Sequence, residues 1–266
     1  MTRPVFFCDL DRTLIYSTRQ IDNYGTSYEG LVVAEALGNK PFSFMTFEAA
    51  RLLAEVSQRV DIVPCTTRNL REFNKVALPD TETRYAIINN GATILENDVE
   101  DADWSREVRD VIASKSVKAE DVLDAITALF GKSTELLPAK VSGEIFVSIH
   151  FDDNNRSEMI AFIDAHKEAW GYTAAVQRRK VYLIPSSVTK EAAAEEIKRR
   201  LRSTVSFAAG DSFTDLALME HATYAMRPAH GELFEALGYT GSIPVTGTVG
   251  VGAGEEIVQF VDRMTR

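Results

Sequence analysis

Cysteine is scarce in this sequence. Cys8 and Cys65 are the only two, too few to build the disulfide framework on which small secreted domains depend. A reducing compartment, the cytoplasm, is the expectation. Long apolar runs are lacking too: Val5 to Cys8 and Ile145 to Ile149 are short stretches, far below the roughly 20 residues that cross a bilayer. The N-terminus shows no basic segment followed by a long apolar one, so neither export nor a membrane partner is expected. Positive charge is in deficit, with 29 Lys and Arg against 39 Asp and Glu and a formal net charge of −10. Affinity for a nucleic-acid backbone comes mostly from clustered Lys and Arg, which argues against nucleic acid as a partner. A phosphorylated small molecule stays compatible, provided a metal ion offsets the acidity locally. Internal repeats and low-complexity segments are absent. The remainder is ordinary globular composition, 45% hydrophobic and 26% charged over 266 residues, enough for one large core or two smaller ones.

Val5-Phe6-Phe7-Cys8 is a short apolar run that stops at the polar Asp9-Leu10-Asp11-Arg12-Thr13, as a buried strand does when it ends in a functional loop. Thr46 can cap a helix running to Gln58 with Phe47, Ala50, Leu53 and Ala54 on one stripe, and Val60 to Cys65 reads as the next strand. A strand, a helix and a strand in sequence imply a parallel pair. Between them, Val32 to Ala36 and Phe42 to Met45 flank Leu37-Gly38-Asn39-Lys40-Pro41 as a hairpin over the loop after strand one. Arg84 to Ile88 is a third strand, ending in Asn89-Asn90-Gly91.

After that the pattern changes. Helices near Trp104 to Ala113, Ala119 to Phe130 and Ser157 to Trp170 surround a strand from Glu144 to Phe151 and a further hairpin. In that strand Ile145, Val147, Ile149 and Phe151 alternate with Phe146, Ser148 and His150, as in an antiparallel sheet with helices on one side. The strand and helix alternation resumes with helices at Lys190 to Leu201 and Phe213 to Glu220 and strands at Val205 to Ala209 and Thr223 to Met226. The expected fold is α/β: a Rossmann-like parallel-sheet core from residues 1–92 and 183–266, interrupted by an inserted α+β domain over 93–182.

Asp9 and Asp11 lie two apart just past a buried strand, at the sheet end where open α/β folds bind ligands. Two carboxylates this close repel each other unless a cation offsets one while the other holds a proton to donate. Asp9 could then attack phosphorus, and Asp11 could protonate the leaving oxygen and afterwards activate water. Gly210-Asp211-Ser212-Phe213-Thr214-Asp215 repeats the arrangement after a second apolar strand, with Asp211 facing Asp9. Such hard oxygen ligands suit Mg²⁺, although Asp215 reads equally as a helix cap. Thr66, Thr67 and Arg68 follow the second strand, where a hydroxyl and free amides could hold a phosphoryl group. Lys190 follows the cap candidate Thr189 at a helix start that also favours an anion.

Taken in order, Asp9-Leu10-Asp11-Arg12-Thr13, Thr66, Lys190 and Gly210 to Asp215 resemble the four motifs of the haloacid dehalogenase superfamily. Asn89-Asn90-Gly91-Ala92, the position of the insertion and the late Gly250-Val251-Gly252 resemble its Cof-like and sucrose-phosphatase-like branch, whose cap is an α/β domain. The resemblance covers nearly the whole chain. It implies that Asp9 is nucleophile and Mg²⁺ ligand, and that Asp11 is acid/base and binds the metal through its backbone carbonyl. It further implies that Thr66 and Lys190 hold phosphate while Asp211 and Asp215 complete or support the metal site. Arg12 stands where the family usually has Gly, and Thr67 where Cof-like members usually have Gly, which bears on substrate access. Arg12, Arg68, Asn90 and His150 are candidates for substrate contact or support, as are Arg178, Arg179 and Lys180 near a turn. The expected activity is hydrolysis of a small phosphorylated metabolite such as a sugar phosphate. A phosphomutase is the enzymatic alternative, since the same residues can return phosphate to a sugar hydroxyl, and a non-catalytic phosphate-binding module is an alternative of another class.

Overall fold

The structure, a computed structural model, describes residues 2–38, 40–131, 140–142, 146–150, 156–177 and 180–266. The chain divides into two compact units, Met1–Asp101 with Thr189–Arg266, and Ala102–Val188. No helix among the described residues is long and apolar enough to cross a membrane.

The first unit opens with β1 (Val5–Cys8), followed by β2 (Tyr16–Ser17), α1 (Thr18–Asn23) and the hairpin β3 (Leu31–Leu37) and β4 (Lys40–Thr46). Thr46 caps α2 (Phe47–Ser57) by accepting from the Ala49 amide, the role its hydroxyl suits. Then come β5 (Asp61–Pro64), α3 (Leu70–Phe73), β6 (Tyr85–Ile88), β7 (Thr93–Glu96) and β8 (Val99–Glu100). In the second unit α4 (Ala102–Lys115) and α5 (Ala119–Phe130) precede β9 (Lys140–Ser142), β10 (Phe146–His150), α6 (Arg156–Trp170), β11 (Tyr172–Gln177) and β12 (Lys180–Pro185). The chain returns to the first unit with α7 (Lys190–Leu201), β13 (Ser206–Ala209), α8 (Phe213–Glu220), β14 (Tyr224–Met226), α9 (Glu232–Leu237) and α10 (Val251–Thr265).

In the first unit a parallel sheet runs in the order β14-β13-β1-β5. All four residues of β1 are buried, as a strand covered on both faces requires. Phe6 and Cys8 join Ile62, Phe207 and Ala209 against Leu52, Leu53 and Val56 of α2 and Ile257, Val258 and Val261 of α10. Each Phe, Leu, Ile and Val among them contributes about 1.5–3 kcal/mol by burial. Phe7 points the other way, beside Ala194 of α7 and Leu218 of α8. The second unit carries an antiparallel sheet in the order β11-β12-β10-β9. Val147, Ile149, Val181 and Leu183 of that sheet pack on Val122 and Ile126 of α5 and Met159 and Ile163 of α6.

Several expectations need correction. Phe47 is 60% exposed, because the buried face of α2 is set by Ala49, Ala50, Leu52, Leu53 and Val56 and the first residue projects beyond it. The strand ending in Asn89 joins the parallel sheet through only a Cys65–Ile87 bridge and pairs antiparallel with β7. That pairing, continued by β8, keeps 93–101 in the first unit, so the second unit begins at Ala102 and not at Thr93 and ends at Val188 and not at Tyr182. Glu144, Ile145 and Phe151 of the expected cap strand lie outside the described residues, as do Asn39 of the hairpin and Arg178 and Arg179.

Gly91 shows how closely the segments of the first unit meet. Its φ is +103°, and a Cβ there would lie 2.1 Å from the carbonyl oxygen of Thr189, the N-cap of α7. Gly91→Ala therefore combines backbone strain with a backbone clash and is expected to cost about 3 kcal/mol. A denaturant midpoint equal to wild type would contradict this packing.

Candidate active site

The C-terminal ends of β1 and β13 lie side by side, tied by the Asp9 amide donating to the Ala209 carbonyl at 2.9 Å. Each strand stops at an aspartate because the chain there leaves the sheet and turns. After β1, Arg12, Thr13 and Leu14 fold back onto Leu10 and Ile15 through their amides. After β13, Ser212 caps α8 in a box with Asp215, the pattern that satisfies free helix amides reciprocally. Gly210 makes room for this box, since a Cβ there would lie 2.2 Å from Asp215 Cβ.

The turns bring Asp9, Asp211 and Asp215 together, with one oxygen of each within 4.8 Å of the others. Lys190 enters from the first turn of α7, only 1% exposed, and donates to Asp9 Oδ1 at 2.8 Å and Asp215 Oδ1 at 2.6 Å. Thr13 donates to Asp9 Oδ2 at 3.1 Å. Asp215 spends its other oxygen on the Ser212 amide and hydroxyl, so it serves as cap and as counter-ion to Lys190. Arg12 reaches Asp211 Oδ2 with Nε at 3.3 Å.

The charges do not balance. Three clustered carboxylates face two cations, Lys190 and Arg12. Burial pushes the Asp9 carboxyl up to about 7, opposed by Lys190 and reinforced by Asp215. Burial, then Asp9, likewise holds Asp211 well above the usual carboxylate range. Burial lowers the Lys190 pKa, but Asp215 and Asp9 together outweigh it and hold the ammonium above its ordinary value. A buried site that draws protons onto its carboxylates favours added positive charge. The donor set is all oxygen, with Asp9 and Asp211 carrying the unbalanced charge, and so fits Mg²⁺, which takes one or two protein carboxylates and keeps several waters.

Arg12 adopts a left-handed conformation at φ 68°, uncommon for a residue with a side chain. Its carbonyl is held by the Tyr16 hydroxyl at 3.0 Å and by His230 Nε2 at 2.8 Å. His230 Nδ1 accepts from the Gly250 amide at 3.2 Å, which makes His230 the neutral Nε2–H tautomer. Burial lowers its pKa to about 4. Gly231 has φ 93°, and a Cβ there would lie 2.5 Å from Asp211 Oδ2, so the loop before α9 presses directly on that carboxylate.

On the other side of Asp9, Thr66 is buried and its hydroxyl accepts from the Arg68 amide at 3.1 Å. Thr67 is exposed. Asn90, buried and left-handed at φ 55°, donates its amide to the Thr66 carbonyl at 3.0 Å. Arg68 grips Asp11 through Nε and Nη2, both at 2.7 Å. His150 belongs to the second unit, where it pairs with Lys180 across β10 and β12. Cys8 and Cys65 are fully buried free thiols, and burial raises both pKa values, so neither is a nucleophile at neutral pH.

Thr13, His230, Gly231 and Glu35 were not among the sequence candidates. Thr13 sat in view inside the first motif, and Glu35 interrupts the apolar Val32 to Ala36. The placement of His230 and Gly231 depends on a long-range contact with no local signal.

No protein-family model matches the chain, and no curated protein does. Solved structures do. A sucrose-phosphatase from Synechocystis, solved with sucrose and phosphate, superposes with a TM-score of 0.63 at 16% identity over 98% of this chain and 99% of its own. A haloacid dehalogenase-like hydrolase from Bacteroides thetaiotaomicron gives 0.62 at 12% identity over 98% and 99%. A trehalose-6-phosphate phosphatase from Aspergillus fumigatus gives 0.52 at 11% over 98% and 94%. This chain has the fold of the haloacid dehalogenase-like hydrolases.

Proposed function

We propose that the protein is a Mg²⁺-dependent phosphomonoester hydrolase acting on a small phosphorylated metabolite, with a sugar phosphate as the substrate class. The observation that carries the proposal is the buried group of Asp9, Lys190 and Asp211 at the C-terminal edge of the parallel sheet. A sucrose-phosphatase and a trehalose-6-phosphate phosphatase among the structural neighbours support the substrate class. Free, buried Cys8 and Cys65 suit a reducing, cytoplasmic setting.

Asp9 attacks phosphorus, forming an aspartyl-phosphate as the bond to the leaving oxygen breaks. Asp11 donates a proton to that oxygen and then, as a carboxylate, takes one from the water that attacks the aspartyl-phosphate. Lys190 orients Asp9 and offsets charge on the phosphoryl group, with Thr66 at the end of the neighbouring strand to hold it. Mg²⁺, held by Asp9 and Asp211 together with the Asp11 backbone carbonyl and supported by Asp215, would neutralise charge between nucleophile and phosphate. The inserted unit supplies discrimination between leaving groups.

The test is a turnover panel of phosphorylated metabolites and an aryl phosphate. Turnover should need Mg²⁺ and vanish after chelation, and the ranking of metabolites should collapse when 102–188 is replaced by a short linker. Undiminished activity after exhaustive chelation removes the metal, and an unchanged ranking places discrimination in the β3–β4 hairpin.

A further inference from the structure

Glu35 is a carboxylate inside an apolar strand, 4% exposed. The ladder between β3 and β4 shifts register on either side of it, an irregularity that re-aims side chains, and Ala34 and Glu35 are both buried in succession. One oxygen, Oε2, accepts from the Ser43 hydroxyl at 2.9 Å and from Arg68 Nη2 at 2.9 Å. Arg68 is the cation that faces this acid. The same guanidinium forks onto both oxygens of Asp11. Its backbone is pinned as well, the amide donating to Thr66 Oγ1 and the carbonyl accepting from the Asn89 amide.

A buried carboxylate is costly unless it is paired, and an arginine with one partner would turn about its long side chain. With Glu35 on one edge and Asp11 on another, the planar guanidinium has one orientation. The Asp11 side chain is 45% exposed and has no other side-chain hydrogen-bond partner among the described residues. Its rotamer is therefore set through Arg68. The fork uses one lone pair of each Asp11 oxygen and leaves the other for a proton in transit.

We propose that Glu35 is a positioning residue which, through Arg68, fixes Asp11 in the orientation that protonates the leaving oxygen. This rests on the phosphatase reading, in which the Asp11 proton passes to the leaving oxygen as the P–O bond breaks and the Asp9–P bond forms. The β3–β4 hairpin thereby takes part in leaving-group chemistry without touching substrate.

The experiment compares kcat/KM, which reports only the steps through leaving-group departure, for p-nitrophenyl phosphate and glycerol 2-phosphate in wild type and Glu35→Gln. A nitrophenolate leaves without help, whereas an alkoxide needs the proton. Glu35→Gln should lose about thirtyfold on the alkyl ester and under about threefold on the aryl ester. Adding it to Asp11→Asn should cost nothing further on the alkyl ester. Equal losses on both esters, or additive losses in the double variant, overturn the proposal by showing a packing role. Should Glu35→Gln fail to fold, Arg68→Lys, which keeps the charge but cannot fork, should give the same alkyl-selective loss, and an unselective loss overturns it. If wild type turns over neither ester, the phosphatase reading has failed. Crystal structures then decide the positioning claim: Asp11 displaced in Glu35→Gln supports it, and an unmoved Arg68–Asp11 pair overturns it.

Discussion

Asp9→Asn is expected to lower aryl phosphate hydrolysis by at least about 10⁴-fold and to leave the protein folded. The amide has nearly the same volume, so the space around β1 is kept, and its oxygen can still accept from Lys190 or Thr13. What disappears is the negative oxygen that, in the proposed mechanism, attacks phosphorus. Removing one of three crowded carboxylates also relieves repulsion from Asp211 and Asp215, so the metal-free variant should unfold at or above the wild-type temperature. Intact turnover, or a variant too unstable to purify, would contradict this placement of Asp9.

Lys190→Met should have a comparably large effect of a different kind. The variant keeps the stem volume but strips the cation from between Asp9 and Asp215, where it is 1% exposed. Leaving buried charge uncompensated costs about 3–5 kcal/mol, and activity should fall with it because Asp9 loses its orienting donor. The loss should depend on pH. A carboxyl whose folded pKa lies above its unfolded value binds a proton on folding, so the stability it contributes is present at low pH and is lost as pH rises through the folded value. For wild-type Asp9 that window runs from an unfolded value near 3.8 to a folded value of about 7. Lys190 opposes the rise, so without it the window extends higher. Thermal unfolding in chelator should show the deficit of Lys190→Met largest near about pH 8 and smaller near about pH 5. Added Mg²⁺ should shrink it at the higher pH. A deficit independent of both pH and Mg²⁺ would mean that Lys190 acts by packing.

Much of this was legible before any coordinates, for reasons that differ by residue. Val5 to Cys8 reads as a buried strand because a four-residue apolar run against Asp9 has little alternative. The α7 start follows from Thr189, a short polar side chain that satisfies free helix amides, whereas at α8 the N-cap is Ser212, with Asp215, the residue read as a cap, completing the box three positions on. Strand ends also set Asp211 facing Asp9, whereas Lys190, at a helix start that favours an anion, was joined to them only by the family resemblance. The edges of the inserted unit were misread because Thr93 to Glu100 carries no sign of its partner: whether that segment pairs with β6 or joins the insertion is a tertiary choice. The α10 face of Val251, Gly254, Ile257, Val258 and Val261 has helical spacing, a pattern that by itself does not say which sheet face it covers. The Arg68 link from Asp11 to Glu35 spans 57 and 33 positions, and side-chain pairing at that separation has no pattern in one sequence.

The central claim is that Asp9 becomes phosphorylated during turnover. Its most direct measurement is acid quenching of the wild-type protein within one turnover of an aryl phosphate in Mg²⁺, followed by mass spectrometry of the digested chain. The account predicts a phosphoryl group on the peptide bearing Asp9, at that residue, absent from Asp9→Asn and lost on incubation in neutral buffer. A phosphoryl group on any other residue, or full turnover with no covalent adduct at any quench time, would contradict it.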